Sequence, residues 1–223
     1  MCCSVSIICT VYTASSILFT VYTASSIGII TGVFQIVHGA AEVVTSMCDH
    51  PRIAAVTFVG SSKVAEIVAS RCHKVHKRVL ALGGAKNHLV ALPDCDVGMT
   101  SRDVVASAFG CCGQRCMAAS VLIVVAPAGE TDQSEALIQT ICEVGGALVA
   151  GQAPGQVGPL IDAGAKARVL KYIAAAEAGG AKIMLDGRSW ADKEKGYWVG
   201  PTVILHHSKV TPVRTATFTL PSP

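Results

Sequence analysis

The chain has 223 residues and a formal charge of +3, from 18 basic and 15 acidic side chains. This length can bury one good core or two small ones. The charges are mixed along the chain and form no basic face, which argues against a nucleic-acid-binding protein. Ten cysteines without repeated C-x-x-C pairs favour free thiols in a reducing compartment over a disulfide framework.

The first 41 residues contain no Asp, Glu, Lys or Arg. Within them, the octapeptide Thr-Val-Tyr-Thr-Ala-Ser-Ser-Ile occurs at residues 10–17 and again at 20–27. Residues 4–37 are apolar enough to leave a membrane span open, although hydroxyl pairs interrupt them and no basic flank precedes them. The segment also lacks the arginines of a transit peptide. We interpret residues 1–32 as an unmatched segment.

From residue 33 the pattern is that of an α/β protein. Ile53 to Val59 is a continuous apolar run, typical of a strand buried on both faces of a parallel sheet. Gly60 ends this run, and Ser61 can cap a helix whose N-terminus would offer amide donors to a phosphate. Because open α/β sheets bind ligands at the carboxyl ends of strands, Gly60 and Ser61 are candidate cofactor-binding residues. An ordinary strand-to-helix turn is the alternative.

The same periodicity predicts the remaining elements. Strands are expected over 79–82, 88–93, 121–125 and 181–185, and helices over 61–72, from Thr100 or Ser101 to Phe109, over 135–144 and over 166–177. The glycines Gly83 and Gly84 permit close approach of the backbone to a ligand. The seven histidines lack zinc-ligand spacing, so no metal is assigned.

Four basic residues and three cysteines outside the candidate sites are expected to have structural roles. The basic residues after the first helix are expected to form a solvated face near its negative end. They are Arg71, Lys74, Lys77 and Arg78. Cys111, Cys112 and Cys142 are expected to pack in the interior.

Cys116 is the candidate nucleophile. It follows Arg115 in a loop of small residues, where a cation favours the thiolate and a substrate can approach closely. A thiolate can attack an aldehyde carbon. The alternative is one more buried apolar cysteine.

Several short segments resemble those of one family in their order and spacing. They are Gly39, Asp49 to Ser61, Gly83 to His88, Gly113 to Ala118, Gly158 to Ile161 and Val199 to Thr202. Together they resemble the aldehyde dehydrogenase superfamily over residues 33–205, and within it the CoA-acylating methylmalonate-semialdehyde dehydrogenase branch. The chain is about half as long as a complete member.

The resemblance implies a fragment of the aldehyde dehydrogenase fold. Residues 33–81 would be the C-terminal part of the Rossmann-like NAD-binding domain, and residues 82–205 part of the α/β catalytic domain. Residues 206–223 would be an unmatched tail. The resemblance also implies a homo-oligomer in the mitochondrion, with the cytoplasm as the alternative because no transit peptide is visible.

The resemblance implies NAD-dependent oxidation of methylmalonate or malonate semialdehyde to propanoyl-CoA or acetyl-CoA, as in valine and pyrimidine catabolism. Cys116 would form the thioester and Arg115 would hold the substrate carboxylate, with a structural salt bridge as its alternative. Gly60 and Ser61 would lie beside the NAD pyrophosphate. Hydrolytic members of the family have a glutamate 34 positions before the catalytic cysteine. In this chain the position 34 residues before Cys116 is 82, and it is occupied by Leu82. We therefore expect acyl transfer to coenzyme A.

Two other functions stay open at this point. The chain could be an inactive partner of complete subunits, because it lacks the Asn-Phe-Pro asparagine, the lysine near the adenine ribose and the Glu-x-Phe-Gly-Pro segment of the family. We accordingly expect that the chain as written is not a competent dehydrogenase. The third possibility is a membrane-anchored protein that uses residues 4–37 as its span.

Overall fold

The computed structural model describes residues 37, 39–125, 133–192, 195–206 and 213–218. They divide into two compact units, one ending at Gly84 and the other beginning at Ala85. This division lies three residues after the boundary expected between residues 81 and 82. The unmatched segment 1–32 and nearly all of the possible span 4–37 lie outside the described residues. Among the helices that are described, none is long and apolar enough to cross a membrane.

The first unit is a βαβ arrangement preceded by a helix. Its elements are α1 (Ala41–Asp49), β1 (Ala55–Val59), α2 (Ser62–Lys74) and β2 (Arg78–Leu82). The two strands pair in parallel, with Ala55 opposite Arg78 and Val59 opposite Leu82. Helices and strands meet in a small core formed by Cys48, Val68 and Cys72, with Val44, Val56, Phe58 and Val79 packed against it. The parallel pairing predicted for β1 is thereby confirmed.

The expected burial of β1 on both faces is wrong. Exposed and half-buried residues alternate along β1 and β2, because side chains on a strand point to opposite faces in turn. The face of Val56 and Val79 packs against the helices. The opposite face remains open within the described residues and carries Leu80, which is 55% exposed.

The predicted solvated basic face is also wrong in part. Lys77 is only 8% exposed, and its Nζ donates hydrogen bonds to the carbonyl oxygens of Met47, Cys48 and His50. These carbonyls belong to the end of α1, where helix carbonyls lack intrahelical partners and attract cations. Lys77 therefore connects the start of β2 to the end of α1.

Arg71 forms a two-bonded ion pair with Asp49. Its Nε donates to Oδ1 at 2.8 Å and its Nη2 to Oδ2 at 2.6 Å. These hydrogen bonds hold the pKa of the Asp49 carboxyl below its ordinary value. Since both groups are exposed, the pair adds little to stability but fixes the direction of the Arg71 side chain.

The second unit contains a five-stranded mixed sheet. Its elements are β3 (Asn87–Ala91), α3 (Val97–Phe109), a short helical turn (Gly110–Gly113), β4 (Ala119–Val125), α4 (Gln133–Gly146), α5 (Ala163–Ala178), β5 (Lys182–Leu185), a second turn (Gly187–Asp192), β6 (Val203–His206) and β7 (Val213–Phe218). The strand order is β3-β4-β7-β6-β5. The first pair is parallel and the others are antiparallel.

Most predicted elements of this unit are confirmed within a few residues. The strand β4 is buried on both of its faces, as expected from its continuous apolar run. Helix α3 begins at Val97, earlier than the predicted Thr100 or Ser101. The reason is that Asp96 caps it, with Oδ1 accepting a hydrogen bond from Met99 N at 2.6 Å.

The segment 206–223 was expected to be a tail, but it contributes an interior strand. β7 lies between β4 and β6 and pairs with both. Phe218 is fully buried, and its ring meets that of Phe109 edge to face with centroids 5.6 Å apart. The described part of the segment therefore belongs to the main core of this unit.

Candidate active site

The loop that carries Cys116 begins with a left-handed turn after α3. Cys111 and Cys112 have φ values of 55° and 52°, and Gly113 has 69°. A left-handed conformation costs a residue other than glycine about 1–2 kcal/mol. Strain of this kind is frequent in functional loops, where the surrounding structure maintains it. We refer to residues 114–118, which follow this turn, as the Cys116 loop.

Gln114 attaches the first end of the Cys116 loop to a distant segment. Its Nε2 donates to Pro159 O at 3.2 Å, and its Oε1 accepts from Ile161 N at 2.9 Å. The side-chain amide therefore uses both its donor and its acceptor on the Gly158 to Ile161 motif. This explains in physical terms why a glutamine precedes the cysteine by two positions.

Asn87 attaches the other end of the Cys116 loop. Its Nδ2 donates to Cys116 O at 2.8 Å and to Ala118 O at 3.1 Å. The loop leads directly into β4, whose first amide, Ala119 N, donates to Ser107 Oγ at 3.2 Å. The Cys116 loop is thus anchored to both the strand β3 and the helix α3.

Cys116 and Arg115 both lie at the surface. The Cys116 side chain is exposed, which is opposite to the alternative of a buried apolar cysteine. Arg115 is exposed too, and a Cβ atom added to Gly110 would lie 2.9 Å from its Nη1. Within the part of the chain that the structure describes, Arg115 has no carboxylate partner. The guanidinium is therefore available for an anionic ligand.

Cys48, Cys112 and Cys142 are less exposed than Cys116. Burial, the largest cause in each case, raises the pKa values of Cys48, Cys112 and Cys142 to about 11. Near neutral pH only about one in 10⁴ such thiols is ionised, so these three are poor nucleophiles. Cys112 and Cys142 pack as predicted. Cys111 is exposed, so its expected packing role is wrong.

Gly60 and Ser61 lie where the sequence placed them, between the end of β1 and the start of α2. They border a cavity of about 530 Å³ in the first unit. Ser61 occupies the N-cap position of the 13-residue helix, but its side chain makes no capping bond. Gly60 N already donates to Leu82 O at 3.1 Å, so the free amides here belong to the first turn of α2.

The cavity is mostly apolar. Its walls are formed by Ala40, Ala41, Val44, Thr45, Cys48, Phe58, Val59, Val64, Ile67, Val68 and Arg71, together with the two residues just described. Its size is in the range of small-molecule sites. Apolar walls can contact the aromatic base of a nucleotide, and the amide donors beside them can bind its phosphate.

The glycines Gly83 and Gly84 lie against the first residue of α2. A Cβ atom on Gly83 would lie 2.8 Å from Ser62 Oγ, and Gly84 N donates to that oxygen at 3.0 Å. The missing side chains therefore allow the backbone to approach α2 closely. Leu82, just before them, is the last residue of β2 and supplies neither acid nor base. In the described ranges, no group of three or more His, Cys, Asp or Glu side chains could hold a metal ion.

The predicted site residues form two pairs of sequence neighbours, one in each unit. Gly60 and Ser61 meet at the cavity of the first unit, and Arg115 and Cys116 meet on the loop of the second. Sequence reasoning missed Asn87 and the role of Gln114. Both belong to recognised motifs, but their partners lie 29 to 47 residues away along the chain, so no local signal could have identified them.

Comparison with known proteins decides the family. The sequence model of the aldehyde dehydrogenase family matches residues 2–219. The chain belongs to the aldehyde dehydrogenase family. The match extends over residues 2–32 and 206–219, for which the short motifs had indicated no counterpart.

The chain is similar to members of the family that are named as semialdehyde dehydrogenases. The chain is 41% identical over 183 residues to malonate-semialdehyde dehydrogenase 2 of Geobacillus thermodenitrificans. This match covers 80% of the chain and 37% of that relative. Methylmalonate-semialdehyde dehydrogenase of Oceanimonas doudoroffii has a similar structure, with a TM-score of 0.79 and 34% identity over 91% of the chain and 42% of that protein. The chain therefore spans well under half the length of these aldehyde dehydrogenases.

A further aldehyde dehydrogenase structure contains a cofactor and an aldehyde. It is the C291A mutant of aldehyde dehydrogenase C from Pseudomonas syringae, solved with NAD⁺ and octanal. Its TM-score is 0.73 at 28% identity, over 85% of the chain and 39% of that protein. These neighbours agree with the predicted α/β fold and with a fragment of the aldehyde dehydrogenase fold.

Proposed function

We propose that this chain is part of an NAD-dependent, CoA-acylating aldehyde dehydrogenase that acts on methylmalonate or malonate semialdehyde. The observation that carries the proposal is an exposed thiol, Cys116, on a doubly anchored loop beside Arg115, which has no carboxylate partner among the described residues. A nucleophile and a free cation one residue apart suit a substrate that has an aldehyde at one end and a carboxylate at the other.

In the proposed reaction, the Arg115 guanidinium binds the substrate carboxylate through two parallel hydrogen bonds. The Cys116 thiolate attacks the aldehyde carbon, which forms a C–S bond and places negative charge on the former carbonyl oxygen. The hemithioacetal that results is the form from which hydride leaves, and a thioester on Cys116 remains.

The cavity at Gly60 and Ser61 is our proposed NAD site. Its apolar walls suit the adenine ring, and the free amides at the start of α2 suit a phosphate. NAD, when bound, supplies the hydride acceptor for the reaction. The Gly60 backbone is held by its bond to Leu82 O, so this edge of the cavity is formed before any ligand binds.

We propose coenzyme A as the acyl acceptor. Leu82 stands at the position of the glutamate that activates water in hydrolytic members, and a leucine side chain cannot remove a proton. A thiol needs less activation than water to attack a thioester. In this step the coenzyme A sulfur bonds to the acyl carbon, the bond to Cys116 breaks, and the thiolate is regenerated. The substrate carboxylate is lost as carbon dioxide and the carbon that carried it takes up a proton from water, which leaves propanoyl-CoA or acetyl-CoA.

Alkylation of the purified chain tests the roles of Cys116 and Arg115. Limiting iodoacetamide should label Cys116 ahead of the other cysteines, and malonate semialdehyde should slow this labelling at lower concentrations than propanal does. Arg115→Leu should abolish the difference between the two aldehydes, whereas the exposed Arg102→Leu should keep it. Preferential labelling of Cys142, or equal protection by both aldehydes in the unchanged chain, would contradict the proposal.

Calorimetry tests the cofactor site. Ala41→Trp places a large ring at the wall of the cavity and should weaken NAD binding at least about tenfold, because the side chain occupies space that the ligand needs. Glu42→Trp is the matched control, since it adds the same ring to the same helix but does not line the cavity. Equal affinities in the two variants would place the cofactor elsewhere.

Turnover tests the acceptor. In a version of the protein completed to the length of the family members, NADH formation from malonate semialdehyde should require coenzyme A, and Leu82→Glu should raise the rate observed without it. Rapid turnover of the unchanged protein in the absence of coenzyme A would show that water is the acceptor.

A further inference from the structure

The pairing of β3 with β4 contains a β-bulge next to the Cys116 loop. Asn87 lies opposite Ala119. The next pair skips a residue and joins His88 to Val121, so Ser120 is the extra residue on β4. Ser120 Oγ donates to Asn87 O at 3.2 Å. Bulges are frequent beside active sites, where they change the direction of a side chain.

The side chain at this bulge is that of Asn87. Its Nδ2 donates one hydrogen bond to Cys116 O and another to Ala118 O. These two carbonyls flank Met117, whose side chain is 78% exposed. An exposed apolar side chain gains by folding onto the surface. The two bonds therefore fix the main chain on both sides of Met117.

We infer that Asn87 positions Cys116 for addition to the aldehyde, an inference that rests on the proposed function. Both of its bonds go to the main chain, so Asn87 is a positioning residue and takes no part in the chemical step. The Asn87 NH₂ group has two hydrogens, so it can donate to both carbonyl oxygens at once. A carboxylate of the same shape offers acceptors only and would repel both oxygens.

The two anchors of the loop have separable effects. Gln114 holds the end nearer α3 through Pro159 and Ile161, and Asn87 holds the end nearer β4. Loss of Asn87 therefore releases Cys116 while the left-handed turn and Cys111 stay attached. Cys111 is exposed in the preceding left-handed turn, whereas the two bonds of Asn87 go to Cys116 and Ala118, so Cys111 serves as an internal reference.

The experiment compares alkylation rates at Cys116 and Cys111 in the purified chain by mass mapping. Asn87→Asp and Asn87→Ala should lower the ratio of the two rates about tenfold, because two hydrogen bonds that hold the thiol outward are lost. The concentration of malonate semialdehyde that halves the Cys116 rate should rise by a similar factor. Ser107→Ala is the matched control, since it removes one hydrogen bond at Ala119 and leaves both carbonyls bound.

The outcomes distinguish the inference from the proposed function. Protection of Cys116 that is equal in the unchanged chain and in both Asn87 variants would overturn only the positioning role. Absence of protection in the unchanged chain would overturn the proposed function, and with it the inference. A global loss of structure would make the half-buried Cys142 react faster. If Asn87→Asp shows faster reaction of Cys142, the positioning role is judged from the uncharged Asn87→Ala variant. A fall in the ratio for Ser107→Ala as large as that for Asn87→Ala would also overturn the positioning role.

Discussion

Replacing Lys77 by methionine is expected to weaken the first unit substantially. Lys77 is buried and donates hydrogen bonds to three carbonyl oxygens at the end of α1. Charge-assisted bonds contribute about 1.5 kcal/mol or more each, which gives roughly 4–5 kcal/mol for the three. Fixing a lysine or a methionine side chain costs a similar conformational entropy, about 1.5–2 kcal/mol, so this term nearly cancels. Because methionine also keeps the apolar stem, the expected net loss is about 4–5 kcal/mol.

The assay is urea unfolding followed by pulsed alkylation, because Cys48 and Cys72 are buried in this unit and become reactive only when it opens. The control is Lys74→Met, which makes the same change at an exposed position on the neighbouring helix and should cost less than about 0.5 kcal/mol. If the urea midpoints of the two variants coincide, the three carbonyls do not depend on Lys77 and the reasoning fails.

Three further changes test other parts of the fold. His76→Gly should stabilise the first unit by about 1 kcal/mol, because His76 has a φ of 55°; a lower urea midpoint would contradict this. Phe218→Ala should destabilise the second unit by about 3–5 kcal/mol, which would be measured as alkylation of Cys142 at a lower urea concentration than in the unchanged chain. An unchanged urea concentration would show that β7 is not part of the core. Leu80→Lys should reduce self-association in light scattering, since Leu80 lies on the open face of the β1–β2 sheet; unaltered scattering would show that this face is not the contact.

Much of this architecture could be predicted from local pattern. The apolar run of residues 53–59 predicted β1, and the 3.6-residue periodicity predicted α5, because burial of one face imposes a period on the sequence. Cys116 was recognised from its small neighbours and from Arg115. The order of the short motifs was sufficient for the family, which the match over residues 2–219 confirms.

The sequence could not show which polar groups meet across the fold. Asn87 and Cys116 are 29 residues apart, and Lys77 and Met47 are 30 apart, so no periodicity relates them. The bulge that accompanies the Asn87 contact is a property of two paired strands. The place of β7 between β4 and β6 likewise depends on which edges remained available for pairing. Sequence pattern thus determined the elements and indicated Cys116 as the candidate nucleophile, whereas only tertiary structure decided how the Cys116 loop is held, because burial and hydrogen bonding act between neighbours in space.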